Sequence, residues 1–213
     1  MPLNHHPAAL TVLEDLHAAA ARDAKRWSDR TGTTDATANA NGSGALVRLG
    51  EFYLAVSPEE GRLLYILARA ISARRIVEFG ASFGISSLYL GAAAKDNAGA
   101  LITTEVHPEK CNALRETFAK ADLSDAITLL EGDAHETLKS VPGPIDMLFL
   151  DGWKSAYLPI FQLLRPKLRV GALILADNCT HAAASDYLAT VQSSASGCVT
   201  SIRGSLAISC VLS

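Results

Sequence analysis

Val77-Glu78-Phe79-Gly80-Ala81-Ser82-Phe83-Gly84-Ile85-Ser86-Ser87 joins an apolar run to a helical one through two glycines. Arg75–Phe79 reads as a short buried strand with an acid near its end, and Ile85 to Lys95 continues with apolar residues at helical spacing. The glycines therefore fall at the carboxyl end of a strand, where open α/β sheets bind ligands. Gly80 suits the tight turn, Gly84 would let the backbone approach a ligand, and the free N–H groups of the helix start favour a carboxylate or another anion. The spacing is G-x-x-x-G rather than G-x-G-x-x-G, which argues against NAD or FAD. Strand-to-helix turns of this kind also occur in α/β proteins that bind nothing there, so the turn alone leaves the ligand open.

Outward from this turn, apolar runs at Arg75–Phe79, Ala100–Glu105, Ile127–Glu131, Asp146–Asp151 and Ala172–Asp177 alternate with helical stretches that start near Ile85, Pro108, Ala134 and Ser155. That alternation predicts βαβ units and a mostly parallel sheet. Ala182 to Ser193 reads as helix. Two extended runs, Cys198–Ile202 and Leu206–Leu212, then flank Arg203-Gly204-Ser205 and predict a hairpin, hence an antiparallel strand. Upstream, Ser57-Pro58-Glu59-Glu60 carries the marks of a helix start, with Ser57 as N-cap and the helix running to about Ile71. Ala8 to Trp27 is an alanine-rich helix, with Trp27 as a packing anchor. The Thr31–Gly44 tract is too polar and small to build a core, so this first helix is expected to be loosely tethered.

The chain has 213 residues, 49% of them apolar, enough for one core and too few for two ordinary domains. A formal charge of −3 without a Lys/Arg cluster offers no footprint for nucleic acid or an anionic membrane, so a small, neutral-to-polar partner is expected. Cys111, Cys179, Cys198 and Cys210 lack zinc-like or redox spacing and read as reduced thiols. Without a leader or an apolar span, the expected location is cytoplasmic.

Acids recur at the strand ends: Glu78, Glu105, Glu131, Asp151 and Asp177. In a parallel sheet these ends share one edge. Several carboxylates converging there are costly to bury unless they meet hydroxyls, a cation or a cationic ligand. Glu105 has the place of an acid that accepts hydrogen bonds from a ribose diol, which makes the ligand a nucleoside. Asp133, after the third strand, would lie beside the base, or cap the helix at Ala134. Asp151, Asp177 and Asn178 supply hard oxygens suited to a divalent cation, with Mg²⁺ expected. Lys154 could reach a hydroxyl beside that ion and act as base, or pair with Asp151 or Asp177 as a surface lysine. His107, His135 and His181 lie at helix starts without a nucleophile and read as solvated or capping residues.

From about Glu51 to the C-terminus, about three-quarters of the chain, the sequence resembles the cation-dependent O-methyltransferases of the class I S-adenosylmethionine-dependent fold, the group of catechol and caffeoyl-CoA O-methyltransferases. Leu150-Asp151-Gly152-Trp153-Lys154, Tyr157-Leu158-Pro159 and Leu175-Ala176-Asp177-Asn178 carry the likeness. The resemblance implies a Rossmann-like seven-stranded α/β sheet, mostly parallel with one antiparallel strand and helices on both faces, over residues 51–213. Residues 1–50 would be an N-terminal helix and a flexible lid or linker, as in bacterial members.

By position, Asp151, Asp177 and Asn178 would hold the metal and Lys154 would be the base. Val56, Gly80 and Ser86 would surround the methionine part of S-adenosylmethionine, with Ser86 bonding its carboxylate, Glu78 also on the cofactor and Glu105 on the ribose. Asp133, Ala134, His135 and Trp153 would border the adenine, and Asp151 would also touch the cofactor. The reaction implied is methyl transfer to a hydroxyl of a small catechol-like or other aromatic diol, with a homodimer allowed. A metal-independent methyltransferase and a non-catalytic nucleoside-binding module are the alternatives. The catechol branch has an acid late in the chain that grips the second substrate hydroxyl. The Arg203-Gly204-Ser205 turn has none, and Leu54, Ala55 and Gly152 also differ from that branch.

Overall fold

The computed structural model describes residues 3–31, 53 and 55–213, with the side chains of all of these except 26–31. The polar tract from 32 to 44, Leu54 and the Trp27 side chain lie outside the described residues. Seven strands form one sheet in the order β3-β2-β1-β4-β5-β7-β6. They are β1 (Arg75–Phe79), β2 (Ala100–Glu105), β3 (Ile127–Glu131), β4 (Ile145–Leu150), β5 (Leu168–Ala176), β6 (Cys198–Arg203) and β7 (Leu206–Val211). The first five pair in parallel, and β7 runs antiparallel to both β5 and β6. The expected sheet, including its antiparallel strand, is thus observed.

The described helices are α1 (Pro7–Thr31), α2 (Pro58–Ala70), α3 (Ile85–Asp96), α4 (Pro108–Lys120), α5 (Ala134–Thr137), α6 (Tyr157–Leu164) and α7 (Ser185–Gln192). Alternation along the strands divides the core between the two faces. Ile76, Leu101, Met147, Phe149 and Leu175 face α1 to α4, while Val77, Leu148, Leu150, Ile174 and Ala176 face α5 to α7. The helix starting at Ala134 is a single turn followed by a 3₁₀ turn, and the ones expected at Ser155 and Ala182 begin as 3₁₀ turns before α6 and α7.

Helix α2 starts as expected. Ser57 Oγ accepts from Glu60 N at 3.2 Å and Glu60 Oε2 accepts from Ser57 N at 2.8 Å, a reciprocal cap worth about 1 kcal/mol. Helix α3 is buried on every side from Ile85 to Ala94 because small residues let it sit between the sheet and its helical neighbours. The expectation of a loosely tethered first helix fails: Leu3, Ala9 and Leu13 are buried in the same core as Ile85 and Leu88. His6 Nε2 also meets Asp96 Oδ1 at 2.9 Å, so apolar burial and a polar tie both dock α1. At the opposite edge of the sheet, Asp146 Oδ2 accepts from Arg74 N at 2.9 Å and Arg75 N at 2.8 Å, joining the starts of β1 and β4. No described helix is long and apolar enough to cross a membrane.

Candidate active site

The backbone ladder continues one residue past the central strands. Asp151 N donates to Phe79 O at 2.9 Å, Asp177 N to Leu150 O at 3.0 Å and Ala81 N to Thr104 O at 2.9 Å. Gly80, Asp151 and Asp177 are thereby set side by side, with Glu105 beyond Gly80. Gly80 holds φ +97°, and a Cβ there would lie 2.6 Å from Gly152 Cα, so the two strand ends touch backbone to backbone. Gly84 differs from its expected role: a Cβ there would lie 2.9 Å from Leu114 Cδ2, so the glycine admits α4 rather than a ligand.

Helix α3 begins at Gly84 without a side-chain cap, which leaves its first N–H groups available to an anion. Tyr53, Val56, Ser82, Phe83 and Ser86 line a shallow recess beside it. Ser86 is buried, and Glu78 is fully so. Glu78 Oε2 accepts from Ser87 Oγ and, at 2.6 Å, from Thr103 Oγ1, while Oε1 has no partner among the described residues. Burial pushes the Glu78 carboxyl up, against the hydrogen bonds it accepts. Glu105 Oε2 accepts from Ser82 N at 3.0 Å, and Oε1 accepts from Val106 N and His107 N, each at 2.8 Å. An ionised carboxylate has about four acceptor sites, so Glu105 retains capacity for a further donor.

Convergence of five acids does not occur. Glu131, on the edge strand, turns outward to pair with Arg115. Glu78 lies one residue before the strand end, and the pleat directs it beneath α3. Asp133 caps α5, accepting from His135 N at 2.9 Å, and also meets His135 Nδ1 at 3.0 Å. Its carboxyl is held low by the His135 amide and then by the imidazole. Ala134 is buried beside Val77 and Phe79, and Trp153 packs against the same cluster. His181 caps the turn after β5 through Ala183 N at 3.1 Å. His107 does not fit the capping reading: it makes no side-chain cap, and its Nδ1 is buried with no partner among the described residues.

Asp151 and Asp177 flank the buried Lys154. Lys154 Nζ donates to Asp151 Oδ1 at 3.2 Å and to Tyr157 Oη at 2.8 Å, and Tyr157 in turn donates to the Asp177 carbonyl at 2.9 Å. Burial pushes the Asp151 carboxyl up to about 7, against the pull of Lys154 and with the added repulsion of Asp177. Burial also raises Asp177, against the Asn178 amide, which donates to Asp177 Oδ1 at 2.7 Å. Burial raises both carboxyls, and Asp177 raises Asp151 further, so a cation between them would relieve the pair; Asn178, φ +49°, follows Asp177 directly in the chain. Among the described residues no three His, Cys, Asp or Glu gather as a metal site, so the two carboxylates and one amide are the donors on offer.

Tyr157, quoted from sequence as part of the likeness, was given no role there, although its three-residue spacing from Lys154 on a helical stretch is the signal that pairs them. Val106, 51% exposed directly after Glu105, is a second such residue: a large apolar side chain left open at the strand edge.

A methyltransferase-domain family profile matches residues 77–179, the stretch that holds Gly80, Glu105, Asp151, Lys154 and Asp177. The chain is 33% identical over 138 residues to a catechol O-methyltransferase of Niastella koreensis, covering 63% of this chain and 62% of that one. To a catechol O-methyltransferase of Mycobacterium tuberculosis it is 33% identical over 126 residues, covering 59% and 57%. A solved cofactor-bound structure from MTB superposes with a TM-score of 0.69 at 26% identity, over 91% of this chain and 97% of that one. In sequence and in fold the chain is similar to class I O-methyltransferases. An O-methyltransferase from Bacillus cereus in complex with SAH shares the class I fold, with a TM-score of 0.67 over 92% of this chain at 20% identity. The matches cover about three-fifths of the length of these two catechol O-methyltransferases.

Proposed function

We propose that the chain is an S-adenosylmethionine-dependent O-methyltransferase that uses a divalent cation, Mg²⁺ in this reading, and methylates one hydroxyl of a small vicinal aromatic diol. The observation that carries the proposal is the shared sheet edge. It sets an uncapped helix start and Glu105 on one side of Gly80, and Asp151, Lys154 and Asp177 on the other. The catechol O-methyltransferases among its relatives support the acceptor class.

S-adenosylmethionine, when bound, supplies an electrophilic methyl group on sulfur. The fit rests on four groups: the α3 N–H groups for its carboxylate, the orphaned Glu78 Oε1 and buried Ser86 beside them, and Glu105 for the ribose hydroxyls. Asp151, Asp177 and Asn178 would hold the cation, whose chemistry is that of a Lewis acid toward the acceptor oxygens. Lys154 would take the acceptor's proton at Nζ, with Tyr157 holding the amine in place. Trp153, half-buried at the strand end, would border the bound ligands and exclude water. Every residue named lies within 51–213, which supports that span as the catalytic unit.

A chelator added during turnover tests the cation. Turnover lost with chelator and restored by excess Mg²⁺ is the expected result; turnover that ignores the chelator would leave a metal-independent methyltransferase.

A further inference from the structure

Lys110, the third residue of α4, is only 5% exposed, where a lysine on a surface helix would ordinarily reach solvent. Its ammonium donates to Ser82 Oγ at 3.1 Å and lies 5.1 Å from the centroid of the Phe83 ring. The Phe83 ring also stacks on Tyr53, with centroids 4.2 Å apart and planes at 23°. Ser82 holds φ +49°, a conformation a serine seldom keeps without support, and its N–H donates to Glu105 Oε2 at 3.0 Å. Ser82 is thus fixed at both ends, by Lys110 through its hydroxyl and by Glu105 through its amide.

The same face of α4 supports the rest of the loop. Lys110, Leu114 and Thr117 recur at helical spacing, and a Cβ on Gly84 would lie 2.9 Å from Leu114 and 3.4 Å from Thr117. A hydrocarbon side chain at 110 could fill the space. Only a cation can donate to Ser82, attract the face of Phe83 and face the negative charge of Glu105 together. Burial pushes the Lys110 pKa down, and the nearby Glu105 carboxylate opposes that shift.

We propose that Lys110 is a positioning residue for the methyl donor: it locks the Gly80–Gly84 loop through Ser82 and Phe83, and so fixes which face of the Glu105 carboxylate meets the ligand. The proposal rests on the reading of that loop and Glu105 as the S-adenosylmethionine site.

The test uses the full chain and S-adenosylmethionine itself, by titration calorimetry and steady-state kinetics on Lys110→Met, Lys110→Arg, Ser82→Ala and the Lys110→Met/Ser82→Ala double variant. Loss of the Lys110–Ser82 bond is expected to raise the cofactor Kd about tenfold in Lys110→Met, with most of the affinity recovered in Lys110→Arg. The double variant should bind within about twofold of Lys110→Met, because both changes remove one interaction. The kcat at saturating cofactor and the acceptor KM should hardly move, a split that general loss of structure would not give. Should Lys110→Met fail to fold, Ser82→Ala and Lys110→Arg decide by the same Kd comparison.

Unchanged cofactor affinity in Lys110→Met and Ser82→Ala would overturn the role of Lys110, as would effects of the two single changes that multiply independently. A wild-type chain that does not bind S-adenosylmethionine would overturn the underlying site reading, and that outcome shows before any variant is measured.

Discussion

The Lys154 ammonium and the Tyr157 hydroxyl lie 2.8 Å apart in a buried pair, and the same hydroxyl donates to the carbonyl of Asp177. Tyr157 therefore joins the turn after β4 to the end of β5, and the amine between Asp151 and Asp177 is held by a second element rather than by its own rotamer. A lysine fixed this way is pre-organised at the strand edge, which is what a base acting on a bound hydroxyl requires.

Removing that amine separates a base from a plain ion-pair partner. Lys154→Met is expected to lower kcat by about 10²–10⁴-fold with cofactor and acceptor still bound, the usual share of general base catalysis. Stopped-time product assays at saturating substrates check it. Turnover within a few-fold of wild type would reduce Lys154 to a charge that balances Asp151.

Asp177→Ala should abolish Mg²⁺-stimulated turnover while leaving cofactor affinity within a few-fold, because Asp177 lies beyond Asp151 from the Glu105 side of the edge. Calorimetry with S-adenosylmethionine beside a metal titration of activity gives both numbers. Collapse of cofactor binding would mean that Asp177 is structural.

Glu105→Ala removes the one carboxylate at the end of β2 and leaves the amides of Ser82, Val106 and His107 without their acceptor. Cofactor binding is expected to weaken by about 1.5–3 kcal/mol, the range for hydrogen bonds to a charged group. Unaltered affinity by calorimetry would take Glu105 out of the ribose site.

Much of this arrangement was legible in the chain because strands announce their ends. The apolar runs stopping at Glu105, Asp151 and Asp177 located the edge, and Ser57-Pro58-Glu59-Glu60 located a helix start to the residue. The directions of the acids were not legible. Glu131 turns out to Arg115 and Glu78 turns under α3, choices made by the pleat and by which strand lies at the sheet edge. Lys110 and Tyr157 were missed for a shared reason. A lysine on a helix reads as solvated and a tyrosine as core, and only the neighbouring loop or strand, distant in sequence, makes each of them polar and buried. The docking of α1 is likewise a tertiary effect that its polar successor conceals.

Asp146 gives the fold a pH dependence away from the candidate site. Burial pushes its carboxyl up, but the Arg169 guanidinium and the amides of Arg75 and Arg74 outweigh this and hold it below the usual carboxylate range. A lowered folded pKa means that its contribution is complete above the unfolded value of about 3.9 and is lost as pH falls through the folded value. Asp146→Asn should therefore cost about 1.5–3 kcal/mol at neutral pH. Urea melts between pH 7 and pH 3, treated as approximate bounds, should show the gap from wild type narrowing only near and below the carboxylate range. A gap constant across that range would mean that the charge of Asp146 does not matter.

Methyl transfer itself is the most direct measurement. The purified chain is incubated with methyl-labelled S-adenosylmethionine, Mg²⁺ and a panel of catechols, caffeoyl esters and flavonoids, and the label is followed by mass spectrometry. The expected result is a labelled O-methyl group on one hydroxyl of a vicinal aromatic diol, formed only with the chain present. Cofactor that binds while its label reaches no acceptor in the panel would contradict that account and leave a nucleoside-binding module.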